Sequence, residues 1–206
     1  MTDASFALQS LRAATSRIHE SLEARLPIAG PGAGRAEYAA HVAAMHGWLA
    51  PFEASLWQGA WPRGIDPAQR ARKREWLEAD IEVARADGLL IEQLPQYADV
   101  PALDTLPQRI GWAYVVEGST LGGRVLLARL APALHPWPAR FLAGYGNEGA
   151  RLWRQFLSML ERELSRPSDI EEAARAAALA FESLDAWFGW TIGPRGAALR
   201  DKIAGS

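Results

Sequence analysis

Residues 111–125 read GWAYVVEGSTLGGRV. The apolar spacing is helical, yet Gly111, Gly118, Gly122 and Gly123 interrupt it. An interior glycine costs a helix about 0.5–1 kcal/mol relative to alanine. On a wheel of about 100° per residue, Gly111, Gly118 and Gly122 fall within about 20° of one line, and Gly123 lies about 120° away. Glu117 and Arg124 lie on the opposite side. One side of this helix is therefore bare backbone. Three arrangements explain it: a second helix packed through a small-xxx-small contact, a bend at the clustered glycines, or a flat ligand against the main chain. The third requires a partner on another helix.

Working outward, proline and glycine punctuate the chain at 27–34, 61–67, 94–107, 131–138, 144–149 and 166–169. Between these clusters the periodicity predicts helices over about 5–26, 35–58, 67–87, 107–130, 138–144, 147–165 and 168–191. Pro67, Pro107 and Pro138 suit first turns, where the missing N–H costs nothing. Ser168 to Glu171 has capping-box spacing, and Pro51 is placed to kink the second helix. Strand signals are poor, and no linker or repeat divides the chain. The expectation is one all-α domain over residues 1–206.

Composition narrows the function. Lys and Arg total 22 against 24 Asp and Glu, a net charge of −2, which argues against a nucleic-acid or anionic-membrane partner. Apolar residues make up 49 %, which argues against disorder. No cysteine is present, so disulfides, thiolate nucleophiles, zinc–thiolate sites and iron–sulfur clusters drop out. That fits a reducing cytoplasm. The first residues carry no signal-peptide run, and no apolar stretch reaches the roughly 18 residues of a membrane span. Nine tryptophans fill a core or line a pocket for a flat ligand.

The first helix supplies the candidate partner. Leu8, Leu11, Thr15, Ile18, Leu22 and Leu26 form an apolar stripe, and His19 lies within it. Arg12 precedes His19 by two turns on the same side, and Glu23 follows by one. Such a histidine is either a satisfied core residue or a ligand. Glu23 at i+4 can accept a hydrogen bond from one ring nitrogen and leave the other for a metal. His41 and His46 stand about 140° apart on a helix and make no chelating pair, and His135 reads as a loop residue. No H-x-x-x-H or E-x-x-H occurs. A single histidine opposite a glycine-bared helix, without cysteine, describes a heme held between two helices, its iron ligand being His, Tyr or Met.

Two stretches resemble the heme oxygenase family, most closely its bacterial branch. LRAATSRIHESLE (11–23) is similar to the proximal-helix motif and places His19 at the proximal ligand. YVVEGSTLGGRVL (114–126) is similar to the distal-helix motif, with Gly118, Gly122 and Gly123 at its glycines. Weaker agreement runs through 37–53, 141–156 and 179–181. The resemblance implies an all-α multi-helix bundle with heme between the first helix and a glycine-kinked distal helix. It implies a reaction in which heme, both substrate and cofactor, is opened by O2 and electrons from an external reductase or ferredoxin-type donor. The products are biliverdin, CO and iron. By position, His19 holds the iron, Glu23 orients it, Arg12 and Arg154 meet propionates, and Phe181 touches the macrocycle. The backbone at Gly118, Ser119, Gly122 and Gly123 covers the distal face, steers O2 toward a meso edge and leaves room for a proton-supplying water. Arg12 also stands on its own reading, since a cation on the His19 side suits a propionate.

One departure bears on turnover. The animal branch has a carboxylate after the first distal glycine, and here that residue is Ser119, whose hydroxyl anchors water but is no acid near neutral pH. Position 16, basic in some relatives, is Ser16. A heme carrier or heme-responsive regulator without turnover is therefore the second reading. Thiamin-degrading enzymes of similar helical architecture need a cysteine this chain lacks. A ligand-free helical module would bind no hemin. Biliverdin would feed a bilin-binding photoreceptor, or the purpose would be iron release.

Overall fold

The computed structural model describes residues 6–89 and 96–193. They form α1 (Phe6–Arg25), α2 (Arg35–Trp57), α3 (Pro67–Arg70), α4 (Lys73–Ala86), α5 (Leu106–Leu134), α6 (Arg140–Ala143), α7 (Gly149–Glu163) and α8 (Pro167–Thr191), with 3-10 turns at Pro27–Ala29 and Gly146–Glu148. No strand occurs among the described residues. The all-α expectation holds, and most helices begin and end within a few residues of the sequence reading.

α8 is central, lying between α1 and α5, while α2 packs on α4 and α6 bridges α4 and α5. Each contact follows from residue pattern. α2 is apolar nearly all round and is buried accordingly, with Tyr38, Val42, Ala44, Trp48, Leu49, Phe52 and Leu56 fully enclosed. α1 buries only Ala7, Leu8, Leu11, Thr15 and Leu22, and its other faces meet solvent or the cavity described below. The tryptophans serve mainly as core. Trp48 stacks on Trp112 at 5.9 Å between ring centroids and donates to Ser183 Oγ at 3.0 Å. Trp187 donates to the Ala44 carbonyl at 2.7 Å. α2, α5 and α8 are thereby locked by aromatic bodies whose polar tips are satisfied.

Three local expectations are corrected. The segment expected as one helix over 67–87 breaks at Ala71 and Arg72. The break exposes a fresh helix N-terminus to the buried Glu53 carboxylate, which accepts from the amides of Lys73 at 2.8 Å and Arg74 at 2.9 Å. Ser168 is not a cap, because Pro167 already opens α8 and Arg166 is its N-cap. A capping box forms instead at Thr105 and Gln108, ahead of Pro107 in the first turn of α5. Pro138 does not start a helix either; α6 begins at Arg140, after Ala139 in the left-handed region at φ 45°.

Asp80 fixes α6. Its carboxylate is buried, accepts the amides of Arg140 at 2.9 Å and Phe141 at 2.8 Å, and takes the Tyr38 hydroxyl at 2.5 Å. Burial and the adjacent Asp80 charge push the Tyr38 phenol above its ordinary range, so it remains a donor. This places Phe141 and Leu142 beneath α5.

Candidate functional site

α1 and α5 face each other across a cavity of about 650 Å³. That volume suits a single small-molecule ligand, for which pockets run about 300–1,000 Å³. α1 contributes Arg12, Thr15, Ser16, His19, Leu22 and Glu23; α5 contributes Tyr114, Val115, Gly118, Ser119, Gly122 and Gly123. α2, α6 and α8 close the floor with His41, Met45, Phe141, Leu142, Phe181 and Phe188. The exposed residues Arg12, Ser16, His19, Glu23 and Gly122 mark the mouth. The floor residues are buried. Polar groups therefore gather at the rim and apolar ones at the base.

The α1 wall carries a directed imidazole. His19 is half exposed, and its Nδ1 lies 3.6 Å from Glu23 Oε2, one turn on. That separation is an electrostatic contact longer than a good hydrogen bond. It turns Nδ1 toward the carboxylate and leaves Nε2 for another partner. The Phe181 ring meets the imidazole edge-on at 5.4 Å and restricts its rotation. His19 is less buried than its stripe suggested, because its side of α1 forms the lip of the cavity and no helix covers it.

The α5 wall answers the glycine question separately at each position. A β-carbon on Gly111 would lie 2.4 Å from the Ala173 carbonyl oxygen and 2.8 Å from the Ala177 amide nitrogen. Gly111 is thus there for the crossing of α5 and α8. At Gly123 the same atom would meet the Leu142 carbonyl at 3.2 Å, so this glycine lets α6 approach. At Gly118 the nearest atom is Trp153 Cη2 at 4.0 Å, and at Gly122 nothing lies within 4 Å. These two face open cavity. Close helix packing and open cavity thus both occur along one helix.

Ser119 lines the same wall, but its hydroxyl donates to the Val116 carbonyl at 2.8 Å and presents lone pairs to the cavity. Tyr114 is held beside Thr15 and Arg12; burial raises its phenol pKa, and the Arg12 charge opposes that rise. Arg12 has no carboxylate partner among the described residues, and its guanidinium lies at the mouth beside the Tyr114 hydroxyl. Arg154 is exposed and lies outside the lining. Its neighbour Trp153 faces the cavity, and successive helical residues point about 100° apart.

A family model described as heme oxygenase matches residues 5–189. The chain belongs to the heme oxygenase family. Heme binding and heme degradation are thus the chemistry that the family brings to this fold. No curated protein matches the chain. The site fits a heme as substrate. Among the described residues no group of three or more His, Asp or Glu side chains could hold a metal ion. A lone imidazole would suit an iron whose remaining ligands a macrocycle supplies.

Behind the α5 wall is a cluster that the sequence did not reveal. Glu117, on the side of α5 opposite the glycine line, is buried with Arg70, Lys73 and Glu53. Arg70 donates to Glu117 Oε2 and, at 2.9 Å, to the Leu152 carbonyl. Lys73 Nζ reaches Glu117 Oε1 at 2.6 Å, the Tyr145 hydroxyl at 2.7 Å and the Arg70 carbonyl at 3.0 Å. The Tyr145 hydroxyl donates to Glu117 Oε1 at 2.9 Å. Burial and the Glu117 charge push the Tyr145 phenol upward, so it keeps this proton. Two cations and two carboxylates balance. The faint signal was one of count: Arg70 and Lys73 three apart beside a helix whose opposite face must also be buried. No helix of the described residues is long and apolar enough to cross a membrane.

Proposed function

We propose that this chain is a heme oxygenase of the bacterial, biliverdin-producing branch, acting in the cytoplasm. One observation carries the reading. A half-exposed imidazole, with Nδ1 turned to Glu23, faces two glycines with open space before them across one cavity.

In this proposal His19 Nε2 holds the substrate iron, and Glu23 keeps the imidazole in the matching tautomer. Arg12 binds a propionate at the mouth through a charge-assisted bond, and Phe181 braces His19 and the macrocycle edge. Gly118 and Gly122 admit the ring and O2 where any β-carbon would take their space. Gly123 lets Leu142 support the same wall. When bound, the heme supplies the iron that activates O2; electrons come from an external reductase or ferredoxin-type donor. One meso carbon leaves as CO, the tetrapyrrole as biliverdin, and the iron is freed. Ser119 Oγ, its proton committed to Val116, accepts a hydrogen bond from water and so positions it without acting as the acid. Biliverdin then serves a bilin-binding photoreceptor or is a by-product of iron release.

Titration with hemin, followed by aerobic reduction, tests this. Wild type should give a Soret band that converts to a bile-pigment spectrum, and His19→Ala should weaken hemin binding and abolish conversion. The committed Ser119 proton favours a second reading, a heme carrier without turnover. In that case the Soret band forms and persists under O2 and reductant.

A further inference from the structure

The cavity floor contains a polar group that the proposed reaction has not used. His41, on α2, is 7 % exposed and lines the floor one turn before Met45. Its Nδ1 is buried without a hydrogen-bond partner. The ring stacks on Phe188 at 5.4 Å and lies 6.3 Å from Phe141, so its neighbours offer it aromatic carbon. Burial lowers its pKa to about 4, and the imidazole is neutral near pH 7, with one N–H and one lone pair.

The orientation of a tetrapyrrole in this cavity follows from its polarity. Its propionates belong at the mouth, beside Arg12 and water, which sends the methyl, vinyl and meso-carbon edge to the floor. That edge of an intact porphyrin offers no hydrogen bond to an imidazole. Opening the ring changes this. Loss of a meso carbon leaves two terminal lactam groups, each with a carbonyl acceptor and, as the lactam, an N–H donor. A neutral imidazole complements both.

We infer that His41 is a recognition residue for the ring-opened linear tetrapyrrole, hydrogen-bonding a terminal lactam at the cavity floor. The inference rests on the heme reading above and adds that the opened edge faces inward. It makes the floor selective for product over substrate, so His41 holds the bilin after the iron bond is lost.

The test compares two probes, hemin and biliverdin, titrated into wild type, His41→Leu and His41→Gln and followed by absorbance. One neutral hydrogen bond corresponds to an affinity change of about five- to tenfold. His41→Leu should weaken biliverdin by that factor and leave hemin within about twofold, while His41→Gln, which keeps a donor and an acceptor, should restore most of the biliverdin affinity. Equal weakening of both ligands by His41→Leu would assign His41 a packing role and overturn the inference, as would unchanged biliverdin binding. Failure of wild type to bind hemin would instead strike the underlying heme reading.

Discussion

α5 presents opposite extremes at adjacent residues. Glu117 is enclosed by Arg70, Lys73 and Tyr145. Gly118 presents bare backbone to the cavity, with only the tip of the Trp153 ring at 4.0 Å from where a β-carbon would stand. An unfilled wall forfeits packing contacts, and a helix bordering a cavity tends to sag into it. Here the wall is fastened from behind by directional bonds that hydrophobic packing could not aim as closely. The empty side and the crowded side are one device, the second keeping the first open.

The largest effect should follow from breaking the crowded side. Glu117→Ala takes the carboxylate from both Arg70 and Lys73, leaves two buried cations with Glu53 as the one carboxylate of the cluster, and should destabilise the fold by about 3–5 kcal/mol in denaturant unfolding. Glu117→Gln, isosteric, should cost less. The next effect probes a buried group on the cavity side that lacks a partner. His41 has a folded pKa of about 4, below its unfolded value of 6.5. The unfolded chain therefore binds the proton first, and stability present above pH 6.5 is lost as pH falls toward 4, by about 3 kcal/mol at most. His41→Gln should flatten unfolding free energy across that window. A third pair of variants separates the two kinds of glycine. Gly111→Ala drives a methyl into α8 backbone and should cost about 1–3 kcal/mol. Gly122→Ala meets nothing in the protein, should raise stability by up to about 1 kcal/mol through helix propensity, and should weaken hemin. If Gly122→Ala left hemin affinity untouched, the open face of α5 would not be the ligand's wall.

Much of this was legible in the residues, for identifiable reasons. The helices follow from 3.6-residue periodicity between proline and glycine clusters. α1 and α5 announce themselves by a histidine on a stripe and by glycines on a line, and the structure brings both stretches to one cavity. The rest depends on what each face meets. Gly111 and Gly122 sit close to one line of the wheel, yet a β-carbon on the first would strike α8 and one on the second would meet nothing within 4 Å, and no local pattern separates them. The wheel sets Glu117 opposite the glycine line and says nothing of what it meets there; only the fold brings Arg70 and Lys73 to it. His41 was set aside for lacking a chelating partner, when the apolar run AAHVAAM around it was itself the sign of burial. Arg154 lay one residue from the face that counts.

The proximal wall depends on the far end of the chain. α1 rests mainly on α8, and Arg25 pairs with Asp185 across that contact. During synthesis α1 emerges before α8, so its apolar stripe lacks its main seat until α8 has been made. A nascent chain short of α8 would hold the bare face of α5 and its buried charges without a firm α1 wall opposite. The cavity between α1 and α5 thus gains its firm α1 side only once α8 is in place.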